Sequence, residues 1–466
     1  MSSSMLSFID KARWGKAHWL IFASTAVGFF LWGIINTLGY AFYPEYSNVA
    51  YIVVVAAAPL LGTLALPWLS DAFMGRKSMY LVTMSLYGIG SLVIALDLLF
   101  LPKDELQMVV FLLGYGISMI GVEGEVPIGL ALLAEIIPVK QRQKALILSP
   151  NFENIGAAAA AAIAYVTYFL GARSYAVDSL SVVFMAMVGL AVAVVLRVLM
   201  PESIRWLGVK GKEQIAMQEL SKIGGEQDNS LVLESVKQGV SFRGRFAVLV
   251  AWSVANYLTW GLMAFVLADY YFVGADVFLV MLVANLGASA AGLLVPMFID
   301  KMDTRNYAMV SFSGAVLSFL PAFAYVILGF KDAPLFYLIT FSNLFFITMT
   351  WFVRTIYEPL LFQTQRRGLM IGSVRAVAML AYTASTYATS GFPEWAFVIY
   401  GAFLQGVGLV AAAWWKLRGY DVRMKSLESL SAAPRLGQLV AVATKPGNRK
   451  KRGVNADFWR LVFERI

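Results

Sequence analysis

Long apolar runs separated by short polar breaks organise almost the entire chain. Twelve of them reach the ~18 residues that a helix needs to cross the hydrocarbon core of a bilayer. In the first half they cover about 18–43, 47–69, 78–101, 106–137, 144–170 and 176–200. In the second half they cover about 245–272, 275–299, 306–330, 334–362, 368–391 and 394–416. A short lead (1–17) comes first, a polar stretch (201–244) divides the two sets, and a basic tail (417–466) follows. The pattern predicts an all-α membrane protein with two six-helix bundles, 18–200 and 245–416, joined by a central loop.

The polar positions then give orientation. Lys11, Arg13, Lys16, Arg76, Lys77, Lys140, Arg142, Lys144, Lys301, Arg305, Arg366 and Arg367 fall on one side, together with the central loop and the tail. The opposite loops hold Lys103, Arg173 and Lys331. By the positive-inside rule both termini are expected in the cytoplasm of a cell-membrane protein. The two halves also repeat. Shifted by 229 residues, "LGTLALPWLSDAFMGRKS" falls on "AAGLLVPMFIDKMDTRNY", so Leu64, Pro67, Asp71 and Arg76 match Leu293, Pro296, Asp300 and Arg305. Repeated halves with a site near the bilayer midplane are a transporter architecture, and the halves are expected to be pseudo-symmetric.

Composition agrees with this and removes other classes. The chain is 59% hydrophobic and 14% charged, where soluble domains carry about 25% charged residues. The net charge of +9 could suggest nucleic acid, but loop topology accounts for it. Cysteine is absent and His18 is the single histidine, so the chain offers neither a thiolate nor a histidine cluster for a metal. No Walker A loop is present, so ATP hydrolysis by this chain does not drive it. The start lacks a compact signal peptide and reads as a cytoplasmic lead. No cofactor and no catalytic constellation is expected.

Several motifs together resemble the major facilitator superfamily. "GTLALPWLSDAFMGRK" resembles its loop after the second helix, and "GEVPIGLALLAEIIPVKQRQKA" resembles the fourth-helix signature of the sugar-porter-like and organic-ion branches. "PESIRWL", "YEPLLFQTQRRGLMIGSVRA" and "KSLESLS" resemble the motifs after helix six, after helix ten and after helix twelve. The G-E-x-P pattern is closest to organic-ion and aromatic-acid or niacin-type carriers. Ile35 and Asn36 stand where proton-coupled sugar porters place an aspartate, and Tyr115 stands where they place an arginine.

The resemblance implies a salt-bridge network at the cytoplasmic ends of the helices. It would use Asp71, Arg76, Glu135, Arg142, Glu202 and Arg205 in the first half, and Asp300, Arg305, Glu358, Arg366 and Arg375 in the second. Such partly hydrated pairs are worth only ~0–1 kcal/mol each, weak enough to open and close.

Glu125 lies deep in helix four, where a carboxyl must pair with a cation, hydrogen-bond or take up a proton. It is the expected principal proton site, with Glu123 and Glu153 as further candidates. Glu123 lies about 200° from Glu125 around the helix, so the two do not face one way. Arg354 in helix ten is either an i,i+4 partner of Glu358 or a fixed cation for a substrate carboxylate. Arg197, at the end of helix six, is expected to snorkel to the interface. Trp32, Asn36, Asn256, Trp260, Asn285, Asn343, Trp351 and Tyr382 are candidate cavity residues, each with helix packing as the alternative.

"GAAAAAAIAY" reads as a small-residue packing surface. "GKEQIAMQELSKIGG" reads as a loop helix ended by glycines, and "NADFWRLVFERI" as an amphipathic surface helix behind a lipid-binding basic cluster. The expectation is a monomeric secondary transporter that moves a small organic solute, foremost an organic acid, with protons. A sugar porter or uniporter, an exporter of organic cations and a non-transporting sensor of the same fold are the alternatives.

Overall fold

The computed structural model describes residues 3–42, 49–170 and 175–432, apart from 225, 229, 235, 237 and 238. The chain is an all-α protein whose described residues include twelve helical spans long and apolar enough to cross a membrane. A lead helix α1 (Ser3–Lys11) precedes six long helices: α2 (Lys16–Phe42), α3 (Val49–Leu69), α4 (Arg76–Phe100), α5 (Glu105–Ile136), α6 (Val139–Leu170) and α7 (Tyr175–Leu199). Two short helices, α8 (Ile204–Val209) and α9 (Glu213–Ile223), follow. The second set is α10 (Phe242–Trp260), α11 (Ala275–Leu294), α12 (Thr304–Leu317) with α13 (Phe319–Ile327), α14 (Ala333–Leu361), α15 (Arg367–Thr389) and α16 (Glu394–Arg418). A last short helix, α17 (Leu427–Ser431), lies beyond them. The proposed amphipathic segment at 455–466 and its basic cluster lie outside the described residues.

The helix ends differ from the apolar runs in an instructive way. Helix α6 starts at Val139, five residues before its apolar run, because Lys140, Gln141 and Arg142 are helical although polar. Helix α10 likewise begins at Phe242, where the Ser241 side chain accepts a hydrogen bond from Gly244 N at 3.3 Å and caps the helix. Hydropathy sees what lipid touches, whereas a helix continues for as long as its backbone is hydrogen-bonded. Two spans are interrupted. The seventh leaves the α-helix after Trp260 for a π turn (Leu262–Leu267), and the ninth is divided at Ser318.

Between α3 and α4 the chain passes through a π turn (Ser70–Met74) and reverses at Gly75, whose φ of 86° is strained for any side chain. A Cβ there would also come within 2.4 Å of Glu202 Oε2. This turn delivers Asp71 and Arg76 to the end of the molecule that carries the lead, the central loop and the chain's basic breaks; we call it the basic face.

The two helix sets meet along α3 with α15 and α6 with α11. A Cβ on Gly372 would lie 2.0 Å from Thr63 O, and a Cβ on Gly292 would lie 2.0 Å from Asn151 Cγ, so bare glycine permits both approaches. Asn151 Nδ2 donates to Ser289 O at 3.2 Å along the second contact. Within the first set, Ala157, Ala158, Ala160, Ala161 and Ala164 are buried on α6, which packs against α2.

Candidate functional site

At the basic face, charged side chains from both sets lock together. Arg76 donates to Asp71 Oδ1 at 2.5 Å and to Glu135 at 3.2 and 2.9 Å. Glu135 also accepts from Arg367 of the second set at 2.7 Å and from Ser203 Oγ at 2.5 Å. Asp71 accepts from the backbone N–H groups of Gly368 and Leu369 at 3.3 and 2.8 Å, at the N-terminus of α15. Arg205 bonds the Glu135 carbonyl and Glu428, the latter at 2.9 Å.

Asp10 of α1 completes this cluster. It ion-pairs with Arg142 and, at 2.8 Å, with Arg205. Burial alone would push its carboxyl up, but Arg205 and Arg142 hold it below the ordinary aspartate value. Glu202 takes a different part from the one expected. It accepts backbone N–H bonds from Arg76 and Lys77 at 2.9 and 3.1 Å and so caps α4. Burial outweighs these bonds and leaves its carboxyl above the ordinary glutamate value.

The second-half counterpart of this network does not form as expected. Arg366 is exposed, and Arg367 points inward instead, since successive helical residues diverge by about 100°. Arg305 pairs with Asp303, the N-cap of its own helix, at 2.7 Å. Asp300 meets Lys144 of the first set at 2.6 Å, half-exposed. Glu358 pairs with Arg354 at 2.9 Å, and Arg375 lies deeper, eight residues or ~12 Å along α15 from Arg367.

The interior holds two buried ion pairs of different kinds. Glu125 is gripped by both terminal nitrogens of Arg197, with the Nη1 contact at 2.8 Å, and accepts from Thr83 Oγ1 at 2.5 Å. Arg197 is 0% exposed, lies 4.7 Å above the Tyr80 ring and donates to Tyr80 O at 2.8 Å. It does not snorkel: a side chain near a helix C-terminus slants back toward the N-terminus, here into the bundle. Glu125 thus already has a cation, within its own helix set.

Glu123 makes the other pair, and that pair crosses between the sets. Its Oε2 accepts from Arg375 Nη2 at 2.6 Å and its Oε1 from Trp32 Nε1 at 3.0 Å. Trp32 contacts Trp351 with ring centroids 6.1 Å apart, again across the two sets. Glu153 is buried within electrostatic reach of Glu123 and Arg375, and among the described residues nothing donates to its carboxylate. Of three expected acids, it is the one without a cation of its own.

Arg354 is held by Glu358 and by Asn256 Oδ1, each at 2.9 Å, which realises the i,i+4 alternative. Asn256 also donates to Ile347 O at 3.1 Å. Asn285 bonds Met281 O within its own helix, and Asn343 bonds Ser318 Oγ at the α12–α13 break; both amides serve helix packing. Asn36 is half-buried one turn beyond Trp32. Trp260 stacks at a tilt on Phe265 beside the break in the seventh span. Tyr382 remains 41% exposed, edge-on to Tyr257 at 5.9 Å. No cluster of three or more histidine or acidic side chains able to hold a metal exists among the described residues.

The sequence profile of the Major Facilitator Superfamily matches residues 17–386. The chain belongs to the major facilitator superfamily.

Solved structures of this superfamily share the fold. The chain superposes on the proton:xylose symporter XylE bound to 6-bromo-6-deoxy-D-glucose with a TM-score of 0.70 and 17% identity, over 89% of this chain and 98% of that one. An inward-open structure of the xylose transporter XylE from E. coli gives 0.61 and 17%, over 89% and 99%. FucP in the outward conformation gives 0.55 and 14%, over 86% and 99%. None of the curated protein sequences matches the chain. As a major facilitator protein it is a multi-pass membrane transporter of a small-molecule substrate and not an enzyme.

Two residues of the charged constellation, Asp10 and Arg367, escaped the sequence reading, as did the pairing of Arg197. A charge count offered one signal, because Arg197 is a cation in the apolar run "AVAVVLRVLM" with three acids elsewhere in the same half. Tyr257, within electrostatic reach of Glu123, Arg375 and Arg354, carried no signal beyond being one of many aromatics.

Proposed function

We propose that this chain carries a small organic anion, foremost an organic acid with a flat or aromatic body, together with protons by alternating access. It works as a monomer in the cell membrane, with both termini cytoplasmic, and is nearest in kind to aromatic-acid or niacin-type carriers. One observation carries the reading: at the centre an ion pair crosses between the two halves, beside an acid without a cation of its own. Glu123 and Glu153 belong to the first six-helix set, and Arg354 and Arg375 to the second.

With Glu358 included, three carboxylates face two guanidiniums, so one acid lacks a cation. A buried unpaired charge is expensive, and a proton on that acid removes the expense. Glu153, not the already paired Glu125, is the acid this count leaves over, and we assign it and Glu123 to proton coupling. On the cation side, Arg375 Nε and Arg354 Nη2 are buried without hydrogen-bond partners. Free guanidinium donors of this kind suit a carboxylate, which they can hold in a fork. Trp32 and Trp351 add two ring faces from opposite sets.

The network at the basic face supports alternating access. It ties the two sets together there through Glu135–Arg367 and Asp71–Leu369, so in this reading substrate reaches the centre from the opposite face. The test is uptake of labelled benzoate into proteoliposomes. An inward proton gradient should drive accumulation, and Arg375→Gln should lower it at least ~tenfold, the loss of one strong charge-assisted contact. Transport of D-xylose or of an organic cation in its place, or binding with no counterflow, would overturn the reading.

A further inference from the structure

Arg375 is the cation on which the organic-anion reading turns, and it already holds a carboxylate. That grip is incomplete. Glu123 takes one Arg375 nitrogen, Nη2, while Arg375 Nε is buried without a partner. By contrast Glu125 receives both terminal nitrogens of Arg197 and a hydroxyl as well. A two-point grip is the stronger, so the Arg375 fork is half used. Trp32 holds the other Glu123 oxygen, and its ring lies 5.3 Å from the Arg375 guanidinium carbon. Acid, cation and indole therefore meet where an anion with a flat body would bind, and the acid comes from the opposite helix set to the cation.

We propose that Glu123 is a built-in ligand, holding the organic anion's place on Arg375 in the empty transporter, and that the substrate carboxylate displaces it. This inference rests on the reading given above. Glu123 takes up one proton as it leaves Arg375, and the substrate brings one negative charge. One ion pair replaces another, so the net charge of the buried cluster does not change. The neutral Glu123 carboxyl keeps an oxygen that can accept from Trp32. Without the proton, displacement would leave a bare carboxylate beside Glu153, and this is the source of coupling.

The charged and titratable groups around Glu123 are Arg375 from α15, Glu153 from α6 and Tyr257 from α10. Arg354 and Glu358 from α14 stand behind Arg375. Trp32 is the neutral donor from α2. No cation holds Glu153, so no substrate can displace it from one.

The purified full-length chain can be titrated calorimetrically with benzoate at about pH 5.5 and about pH 7.5, in two buffers of different ionisation heat. The wild type should bind at least ~tenfold more tightly at the acid pH and take up about one proton per benzoate at the neutral pH. In Glu123→Gln, a neutral shape-mimic of the protonated acid, binding at neutral pH should match that of the acid wild type, and proton uptake should vanish.

If the wild type binds benzoate but Glu123→Gln keeps the proton uptake, or binds more weakly at both pH values, the displacement is wrong and the organic-anion reading stands. Should that variant fail to fold, absence of proton uptake by the wild type overturns the displacement by itself. A wild type that ignores benzoate and binds D-xylose removes the proposed function and this inference together.

Discussion

Arg197 sits two residues from the end of α7, where a sequence reading sends an arginine outward to the headgroups. Its side chain instead runs back into the bundle, and so the most conspicuous acid of the sequence already has a counter-charge in this conformation. Removing one member of a buried pair strands the other, at a cost of about 3–5 kcal/mol. Arg197→Met and Glu125→Gln should each lower unfolding stability by that order, while the double variant recovers at least ~2 kcal/mol of the summed loss. Strictly additive losses, read by denaturant unfolding in detergent, would show that the two side chains do not act as a pair. The sequence made legible which residues are charged inside the membrane. It hid their partners, because a one-residue change of register exchanges Arg366 for Arg367, and side-chain slant decides whether Arg197 looks out or in.

At the scale of elements, hydropathy found the spans and missed what joins them. Lead helix α1 is too short and polar to register as a span, yet its Asp10 is buried between Arg142 of α6 and Arg205 of α8. Arg142 Nη1 also reaches Lys425 O at 3.5 Å, and Arg205 reaches Glu428 of α17, so α1 helps fasten segments on both sides of the second helix set. Without Asp10, Arg142 would lose its carboxylate partner beside Arg205, and Asp10→Asn should cost about 3 kcal/mol at neutral pH. The sign of the pH effect follows from the depressed carboxyl. Its contribution is fully present above the ordinary aspartate value of about 3.9 and is lost as pH falls through the lower folded value. Thermal unfolding between about pH 6 and about pH 3 should therefore show a gap between wild type and Asp10→Asn that closes only at the acid end. A gap that stays constant with pH would assign α1 a packing role alone.

For the whole molecule, closure at the basic face and an interrupted charge balance at the centre belong to one cycle. The halves cannot separate at that face without breaking the buried Glu135–Arg367 pair and the Asp71 contacts to α15; Lys144–Asp300 breaks too, but in partial contact with solvent. Its exposure makes Lys144–Asp300 the point at which the gate can be tested without damaging the core. The chain contains no cysteine, so Lys144→Cys with Asp300→Cys introduces the only two thiols into a background that needs no further change. The native side chains meet at 2.6 Å, which places the thiols within the span of a short bifunctional maleimide. If the two halves must part there in each cycle, cross-linking should reduce proteoliposome transport at least ~tenfold, whereas each single cysteine treated in the same way keeps most of it. Anion binding from the opposite face should survive the cross-link, because the centre at Arg375 lies beyond the closed gate. Loss of binding along with transport would mean that substrate reaches Arg375 from the basic face, and the closed network would then be a block to loading and not the state that receives substrate.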